Sequence, residues 1–320
     1  MPKRHVVYHR RSFVWLKQWD KIIVLIIIFI LILLYPGQNR YVMSSVPALT
    51  REIEIPFSIP TPAPYPVNMK GYFPGNEVTA TGIVVLDADA RVFLYKRNEL
   101  AEFAPASTTK IMTALVALDH YSLDDVLTVA RIPGDGQKMG LVTGEKITVE
   151  NLLYGALVHS GNDAAFTLAE QYPGGVDAFV LAMNVKAKAL HLIGSSFANS
   201  VGFDSPNQKM TPVDLSILSL SALTNKTIAK MVAIPAITVS DVTHRYFHPL
   251  RNVNELLGKI PGVGGIKTGW TTEAGENLVT LVERDGHRII FVVLHSTDRF
   301  GDTEKLITWA FDTYRWESIR

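Results

Sequence analysis

The chain has 320 residues, with 31 lysines and arginines against 30 acidic residues, a hydrophobic fraction of 48% and no cysteine. This length suits one large catalytic domain with an appendage, and the balanced charge and hydrophobic content disfavour both a disordered chain and a nucleic-acid-binding protein. Because cysteine is absent, the sequence excludes a disulfide scaffold, a thiolate zinc site, an iron–sulfur centre and a cysteine nucleophile.

Charge is distributed unevenly at the N-terminus. Residues 1–21 contain six lysines and arginines and one acidic residue, so they carry a charge of +5, although the whole chain carries only +1. An unbroken apolar run follows at residues 22–35 and ends at Pro36-Gly37. At ~1.5 Å per residue this run spans roughly 21 Å, which is short of the ~30 Å hydrocarbon core unless flanking residues extend it.

From this pattern we predict a basic cytoplasmic segment, residues 1–21, and an uncleaved signal anchor that forms a transmembrane helix over residues 22–36. In this orientation everything after residue 36 lies on the exported side of a single-pass membrane protein. Two alternatives stay open, a signal peptide that is cleaved and a buried core helix.

Residues 37–75 are predicted to form a linker, because they contain seven prolines and proline-rich chain is extended and semi-rigid. Within them, Ile53, Ile55, Phe57 and Ile59 alternate with other residues. This alternation leaves open a strand that lies against the surface of the folded domain.

The folded domain is predicted over residues 76–320. Two β-rich runs, 81–86 and 91–95, predict a hairpin, and a second hairpin is predicted at 277–283 and 288–294, joined through Asp285-Gly286. Apolar residues at helical spacing predict helices at 111–118, 152–158, 164–169, 179–192, 215–223 and 303–314. This order predicts an α+β fold, in which one antiparallel sheet built from both ends of the domain is flanked by helices and carries a helical subdomain.

The first segment with potential for chemistry is Ser107-Thr108-Thr109-Lys110. A helix that begins here would place Ser107 in its first turn and Lys110 three residues later, so both side chains would emerge on one face. A serine becomes a nucleophile when a base takes its proton, and a lysine is such a base only when burial or nearby cations lower its pKa. An isolated S-x-x-K pattern is nonetheless more often an N-cap serine with a solvated lysine.

Two further segments attract attention for their residue types. Ser160-Gly161-Asn162 lies between two helical patterns, where the simplest interpretation is a turn between helices. Lys267-Thr268-Gly269 combines a glycine that permits close approach of another backbone with a Lys-Thr pair suited to a carboxylate. Neither segment identifies a function alone.

Together, and in this order, the three segments resemble the active-site signature of penicillin-binding proteins and serine β-lactamases. The resemblance is closer to the low-molecular-mass D-alanyl-D-alanine carboxypeptidases, serine peptidase family S11, and it extends from about Thr81 to Phe311. The further motifs that carry it are Leu152-Leu153-Tyr154, Asp163-Ala164, Met183-Asn184 and Phe197-Ala198-Asn199.

The resemblance implies a β-lactamase/transpeptidase-like fold without cofactor or metal. It implies a hydrolase of the bacterial cell membrane, a serine D,D-carboxypeptidase that removes the terminal D-alanine from peptidoglycan stem pentapeptides through an acyl-enzyme on Ser107. β-Lactam antibiotics would be covalent inhibitors, and no nucleic acid is expected as a partner.

The resemblance also implies a role for each site residue. Ser107 is the nucleophile, Lys110 accepts its proton, and Ser160 relays a proton to the departing amine. The N–H groups of Ser107 and Trp270 form the oxyanion hole. The residues expected to bind substrate are Asn162, Lys267, Thr268, Gly269, Trp270 and Arg299, the last of which has the alternative role of a surface arginine that caps the final helix.

The chain departs from the family pattern before the third motif. There it contains Asn252-Val253-Asn254, so any cationic role in this region falls to Arg251 or is absent. We also expect no β-rich C-terminal domain, because the chain ends soon after the predicted final helix, and therefore we expect membrane attachment at the N-terminus.

Other functions use similar residues. A D,D-endopeptidase that cleaves peptidoglycan cross-links requires the same groups, and a muropeptide-binding module with lapsed catalysis would retain the fold. A β-lactamase that deacylates with a glutamate is disfavoured, because the only glutamates between Asp163 and Ile266 are Glu170 and Glu255, neither in a suitable context.

Overall fold

The computed structural model describes residues 14–35, 63–71, 73 and 75–318. The chain divides into two compact units, Met1–Ile59 and Pro60–Arg320. In the first unit, helix α1 spans Val14–Leu34 and contains residues 22–34 of the apolar run, directly preceded by Asp20 and Lys21. No helix among the described residues is both long enough and apolar enough to cross a membrane. The transmembrane helix predicted at residues 22–36 is therefore not confirmed.

The second unit contains the remaining helices and strands of the described chain. The strands are β1 (Tyr65–Asn68), β2 (Gly82–Asp87), β3 (Val92–Arg97), β4 (Val126–Thr128), β5 (Lys146–Thr148), β6 (Ala236–Ser240), β7 (Phe247–Arg251), β8 (Val263–Thr271), β9 (Gly275–Arg284), β10 (His287–Ser296) and β11 (Tyr314–Glu317). The helices are α2 (Lys110–His120), α3 (Val149–Leu157), α4 (Asn162–Glu170), α5 (Gly175–Ala189), α6 (Pro212–Thr224), α7 (Lys226–Val232) and α8 (Arg299–Thr313).

The central sheet has five strands in the order β3-β2-β10-β9-β8, and every neighbouring pair is antiparallel. Strand β2 pairs with β10, so the sheet joins the two ends of the domain, and helices α2 to α7 lie between them in sequence. The predicted α+β class with an inserted helical region is confirmed.

The inner strands of this sheet are buried on both faces. On β2, Val84 and Leu86 pack into the core formed with the helical region, whereas Ile83 and Val85 pack into a second core that includes Leu306 of α8. Successive side chains of a strand point to opposite faces. The continuous apolar runs of β2 and β10 are therefore explained by the helices that cover each face.

Some elements were not predicted. Strand β1 pairs in antiparallel register with β11, with Tyr65 opposite Glu317. Residues 65–68 lie inside the segment predicted as a linker, residues 37–75, so part of that segment belongs to the fold. The alternation at residues 53–59 lies outside the described residues. Helix α8 begins at Arg299, earlier than predicted, with Asp298 as its N-cap.

Candidate active site

Ser107 and Lys110 lie in contact where the sheet meets the helical region. Ser107 belongs to a short 3-10 helix, Ala106–Thr109, and Lys110 is the first residue of α2. The Nζ atom of Lys110 lies 2.8 Å from the Oγ atom of Ser107. The predicted proximity of the two side chains is therefore present, although a 3-10 turn rather than a regular α-helix provides it.

Lys110 is fully buried and is held by three acceptors. Besides Ser107, its Nζ atom donates to Asn162 Oδ1 at 2.7 Å and to the carbonyl of Val201 at 2.7 Å. Burial, and then the positive charge of Lys267, hold the pKa of Lys110 well below its ordinary value near 10.5, while the negative charge of Asp163 raises it. Lys110 is consequently suited to accept a proton from Ser107.

Ser160 and Asn162 lie at the junction of α3 and α4. Ser160 adopts a left-handed backbone conformation with φ of 61°, and Gly161 is the N-cap of α4. A Cβ atom on Gly161 would lie only 3.2 Å from the carbonyl of Gly155 and from the amide of Met139, so glycine allows this close approach. Ser160 Oγ accepts a hydrogen bond from Lys267 Nζ at 2.8 Å.

Strand β8 forms the opposite side of the site. It is an edge strand of the sheet and packs against the 3-10 helix that carries Ser107. A Cβ atom on Gly269 would lie 3.0 Å from the amide nitrogen of Ser107, so the absence of a side chain lets β8 approach the nucleophile. Thr268 is buried, whereas Trp270 is 63% exposed at the rim of the cleft.

Two cations lie on this side of the site. Burial, with the nearby charge of Arg299, lowers the pKa of Lys267 to about 7. Arg299 donates from Nη1 to the carbonyl of Gly269 at 3.0 Å, and its buried Nε atom has no hydrogen-bond partner among the described residues. This pair provides a place for an anionic group, such as a carboxylate, next to the two serines.

The structure brings the predicted site residues together around one cleft of about 640 Å³. Those that line it are Ser107, Ser160, Asn162, Thr268, Gly269, Trp270 and Arg299, and the two lysines, Lys110 and Lys267, lie behind Ser107 and Ser160. Arg251 is exposed on β7 and is not among the lining residues. No group of three or more metal-ligating side chains occurs in the part of the chain that the structure describes.

Sequence reasoning missed two loops that complete the cleft. One wall contains Asp135, Gly136 and Gln137, and another contains Phe203 and Asp204. The sequence signal that could have indicated these loops is a glycine in or next to each, Gly136 and Gly202. Both glycines have positive φ in the structure. A Cβ atom on Gly202 would lie 1.9 Å from the carbonyl of Ala106, so this glycine lets the second loop pack directly beside the nucleophile.

The fold and the site define a class. An antiparallel sheet with an inserted helical region, a serine paired with a buried lysine, a second serine–lysine pair and a K-T-G edge strand are the features of an active-site serine enzyme of the penicillin-recognising type. Comparison with known proteins narrows this class to a family.

Residues 69–298 match the model of peptidase family S11, D-alanyl-D-alanine carboxypeptidase. The chain belongs to this family, and it is a serine hydrolase. It is 34% identical over 245 residues to the D-alanyl-D-alanine carboxypeptidase DacF of Bacillus subtilis, covering 73% of this chain and 63% of that relative. It is 33% identical over 242 residues to a D-alanyl-D-alanine endopeptidase of Pseudomonas aeruginosa, covering 73% of this chain and 77% of the relative.

The structural comparison agrees with the sequence comparison. The crystal structure of the Streptomyces K15 DD-transpeptidase superposes with a TM-score of 0.70 at 32% identity and covers 73% of this chain and 98% of that one. The family identified from the three motifs is therefore confirmed.

Proposed function

We propose that this protein is a serine D,D-carboxypeptidase that removes the terminal D-alanine from peptidoglycan stem pentapeptides. One observation carries the proposal. The hydroxyl of Ser107 faces a cleft and lies 2.8 Å from Nζ of Lys110, a buried lysine whose pKa is strongly lowered. A neutral amine in this position is the base that a serine nucleophile requires.

In the acylation step, Ser107 Oγ attacks the carbonyl carbon between the two D-alanines, and its proton passes to Lys110 Nζ. The carbonyl oxygen becomes an oxyanion, which the N–H groups of Ser107 and Trp270 stabilise. The close packing of Gly269 on the amide of Ser107 supports this placement, because it brings β8 beside the nucleophile.

Collapse of this intermediate breaks the peptide bond, and the departing amine needs a proton. Ser160 is suited to deliver it, because its Oγ atom is hydrogen-bonded to Lys267 Nζ at 2.8 Å. D-Alanine leaves with that proton. Water then hydrolyses the ester, giving its hydroxyl to the acyl carbon and a proton to Ser107 Oγ, and transfer of the proton held by Lys110 to the Ser160–Lys267 pair restores the starting state.

The cations beside β8 give the cleft its proposed preference for a terminal carboxylate. Lys267 with Thr268 and Arg299 would contact that group. Asn162 was expected to bind substrate, but its Oδ1 atom accepts from Lys110 and its Nδ2 atom donates to the carbonyl of Asp135 at 3.1 Å. Its observed contacts thus support a second role, holding Lys110 and one wall of the cleft in place.

A product analysis tests the proposal. The full chain, incubated with a stem pentapeptide, is expected to release free D-alanine from the free acid far faster than D-alanine amide from the C-terminally amidated peptide. Arg299→Gln should reduce this preference by raising KM, and Arg251→Gln, which removes an exposed arginine outside the cleft, is the matched control. Failure to release D-alanine from the free acid would contradict the proposed activity.

The endopeptidase alternative has one support, the Pseudomonas relative that is named a D-alanyl-D-alanine endopeptidase. Cross-linked muropeptide dimers in the same assay distinguish it, since an endopeptidase converts dimers to monomers faster than it trims pentapeptides. The lapsed binding module is disfavoured by the intact contact between Ser107 and Lys110.

We also propose that the protein is attached to the bacterial cell membrane through residues 22–36, with its catalytic unit on the exported side. The support is the basic segment before the apolar run, which favours retention of residues 1–21 in the cytoplasm. A reporter fused after Arg320 should be active only on the exported side, and activity in the cytoplasm would overturn this orientation.

A further inference from the structure

Asp163 follows the Ser160-Gly161-Asn162 motif, and neither its burial nor its contacts were anticipated. Its carboxylate is completely buried and accepts hydrogen bonds from four backbone N–H groups. Oδ1 accepts from Met139 at 2.9 Å and from Ala164 at 3.0 Å, and Oδ2 accepts from Gly140 at 3.0 Å and from Leu141 at 3.1 Å. These contacts suit an ionised carboxylate, which only accepts hydrogen bonds.

Three of these donors are consecutive residues of an irregular segment, residues 135–141, here called the wall loop. Further hydrogen bonds join the wall loop to the same motif. The carbonyl of Gln137 accepts from the amide of Asn162 at 2.7 Å, and the carbonyl of Asp135 accepts from Asn162 Nδ2. The wall loop has no regular secondary structure, so these hydrogen bonds, together with the buried side chains of Met139 and Leu141, hold it in place.

The wall loop in turn reaches the reacting groups. Asp135, Gly136 and Gln137 line the cleft, and Asn162, which the loop holds through two contacts, accepts a hydrogen bond from Lys110. A continuous chain of contacts therefore connects the carboxylate of Asp163 with the amine beside Ser107.

We propose that Asp163 is a positioning residue for acylation: it holds the wall loop against the Ser160–Asn162 segment and so fixes Asn162, Lys110 and one wall of the cleft. Since acylation is read at Ser107, this inference rests on the proposed function. Asp163 touches neither the nucleophile nor its base, and it acts through Asn162 and the loop.

The charge of Asp163 adds a second effect that a purely mechanical support would lack. Apart from burial, two charged groups affect the pKa of Lys110: Lys267 lowers it and Asp163 raises it. Arg299 lowers the pKa of Lys267. Removal of the negative charge should therefore lower the pKa of Lys110 further. The acylation rate declines on the acid side of its pH profile as Lys110 is protonated, and this decline, here called the acid limb, would then move to lower pH.

The test measures acylation by a fluorescent penicillin as a function of pH in the full chain and in Asp163→Asn. We expect a rate at neutral pH reduced by roughly 10- to 100-fold, as for a small misplacement of reacting groups, together with a shift of the acid limb to lower pH. Asp163→Glu keeps the charge and displaces the carboxylate, so its rate should fall while its acid limb stays in place.

Asp214→Asn is the matched control. Asp214 is also a buried carboxylate, with contacts to the amide of Gly194 and the hydroxyl of Ser195, but it lies outside the cleft lining. Its loss should lower the melting temperature without moving the pH profile. Wild-type rate and profile in Asp163→Asn would overturn the proposal, whereas absence of acylation in the wild type would instead overturn the proposed function.

If Asp163→Asn does not fold, hydrogen exchange of the wild-type protein tests the proposal instead. The amides of Met139 and Leu141 should exchange slowly although they lie outside helices and strands, because both donate to Asp163. Fast exchange at both positions would show that Asp163 does not hold the loop.

Discussion

Penicillin is expected to form a stable covalent adduct on Ser107, and Ser107→Ala is expected to abolish it completely. The β-lactam ring of penicillin contains a reactive amide. The attack that would break the substrate peptide bond opens this ring, and the amine that forms stays attached to the acyl group instead of leaving. The attacking oxygen is the Oγ atom that contacts Lys110 at 2.8 Å. Ser160 Oγ has a similar contact with Lys267 Nζ, so the position of the adduct decides between the two serines.

The adduct is checked by intact-mass measurement followed by a peptide map. Ser205→Ala is the matched control, because Ser205 is also partly exposed and lies next to Asp204 of the cleft without lining it. Ser107→Ala should change the free energy of unfolding by no more than about 1 kcal/mol, because the lost hydroxyl is partly exposed and Lys110 retains two acceptors. An adduct mapped to any other residue would disprove Ser107 as the nucleophile.

Local sequence patterns predicted much of the central sheet and the helices. The turn at Asp285-Gly286 predicted the β9–β10 hairpin, and the apolar spacing at 215–223 predicted α6, whose N-cap is Thr211. These signals act between residues close in sequence, so periodicity and turn chemistry are sufficient to detect them.

Long-range pairing escaped prediction for the opposite reason. Strand β1 is stabilised by β11, whose partner residues are separated from it by almost the whole domain, and both strands have only four residues. Prolines at residues 64 and 66 favoured a linker in this region. Residues 65–68 form a strand because β11 pairs with them in the folded domain, and no local sequence pattern can indicate that pairing.

The candidate site follows the same division. Its three motifs could be found in the sequence because each occupies consecutive residues, and their order indicated a common site. Their mutual distances, the placement of Arg299 against the carbonyl of Gly269 and the attachment of the wall loop to Asp163 are consequences of packing between distant segments. The pKa of Lys110 belongs to this second group, because it depends on complete burial and on Lys267.

Replacement of Lys110 by arginine is expected to reduce acylation by roughly 10²- to 10⁴-fold, the range for loss of a general base. An arginine is similar in length to lysine, but its guanidinium stays protonated at any accessible pH, so it cannot take the proton of Ser107. Because Lys110 is fully buried, the larger guanidinium should also lower the free energy of unfolding, by about 1 to 3 kcal/mol. Lys110→Met, which has neither charge nor base, should lose acylation to a similar extent.

The pH dependence of the wild type separates the base from a merely structural lysine. An exposed lysine titrates near ~10.4, so a base in that state would give a rate that rises only near pH 10. Burial and Lys267 lower the pKa of Lys110 well below that value, so the neutral amine exists at lower pH and is lost as the pH falls through its pKa. Stopped-flow acylation from about pH 5 to pH 10 should therefore show a rate that is already high near neutrality and declines on the acid side. Lys209→Arg, at an exposed lysine paired with Glu102, should reproduce the wild-type curve, whereas a wild-type rate in Lys110→Arg would show that Lys110 is not the base.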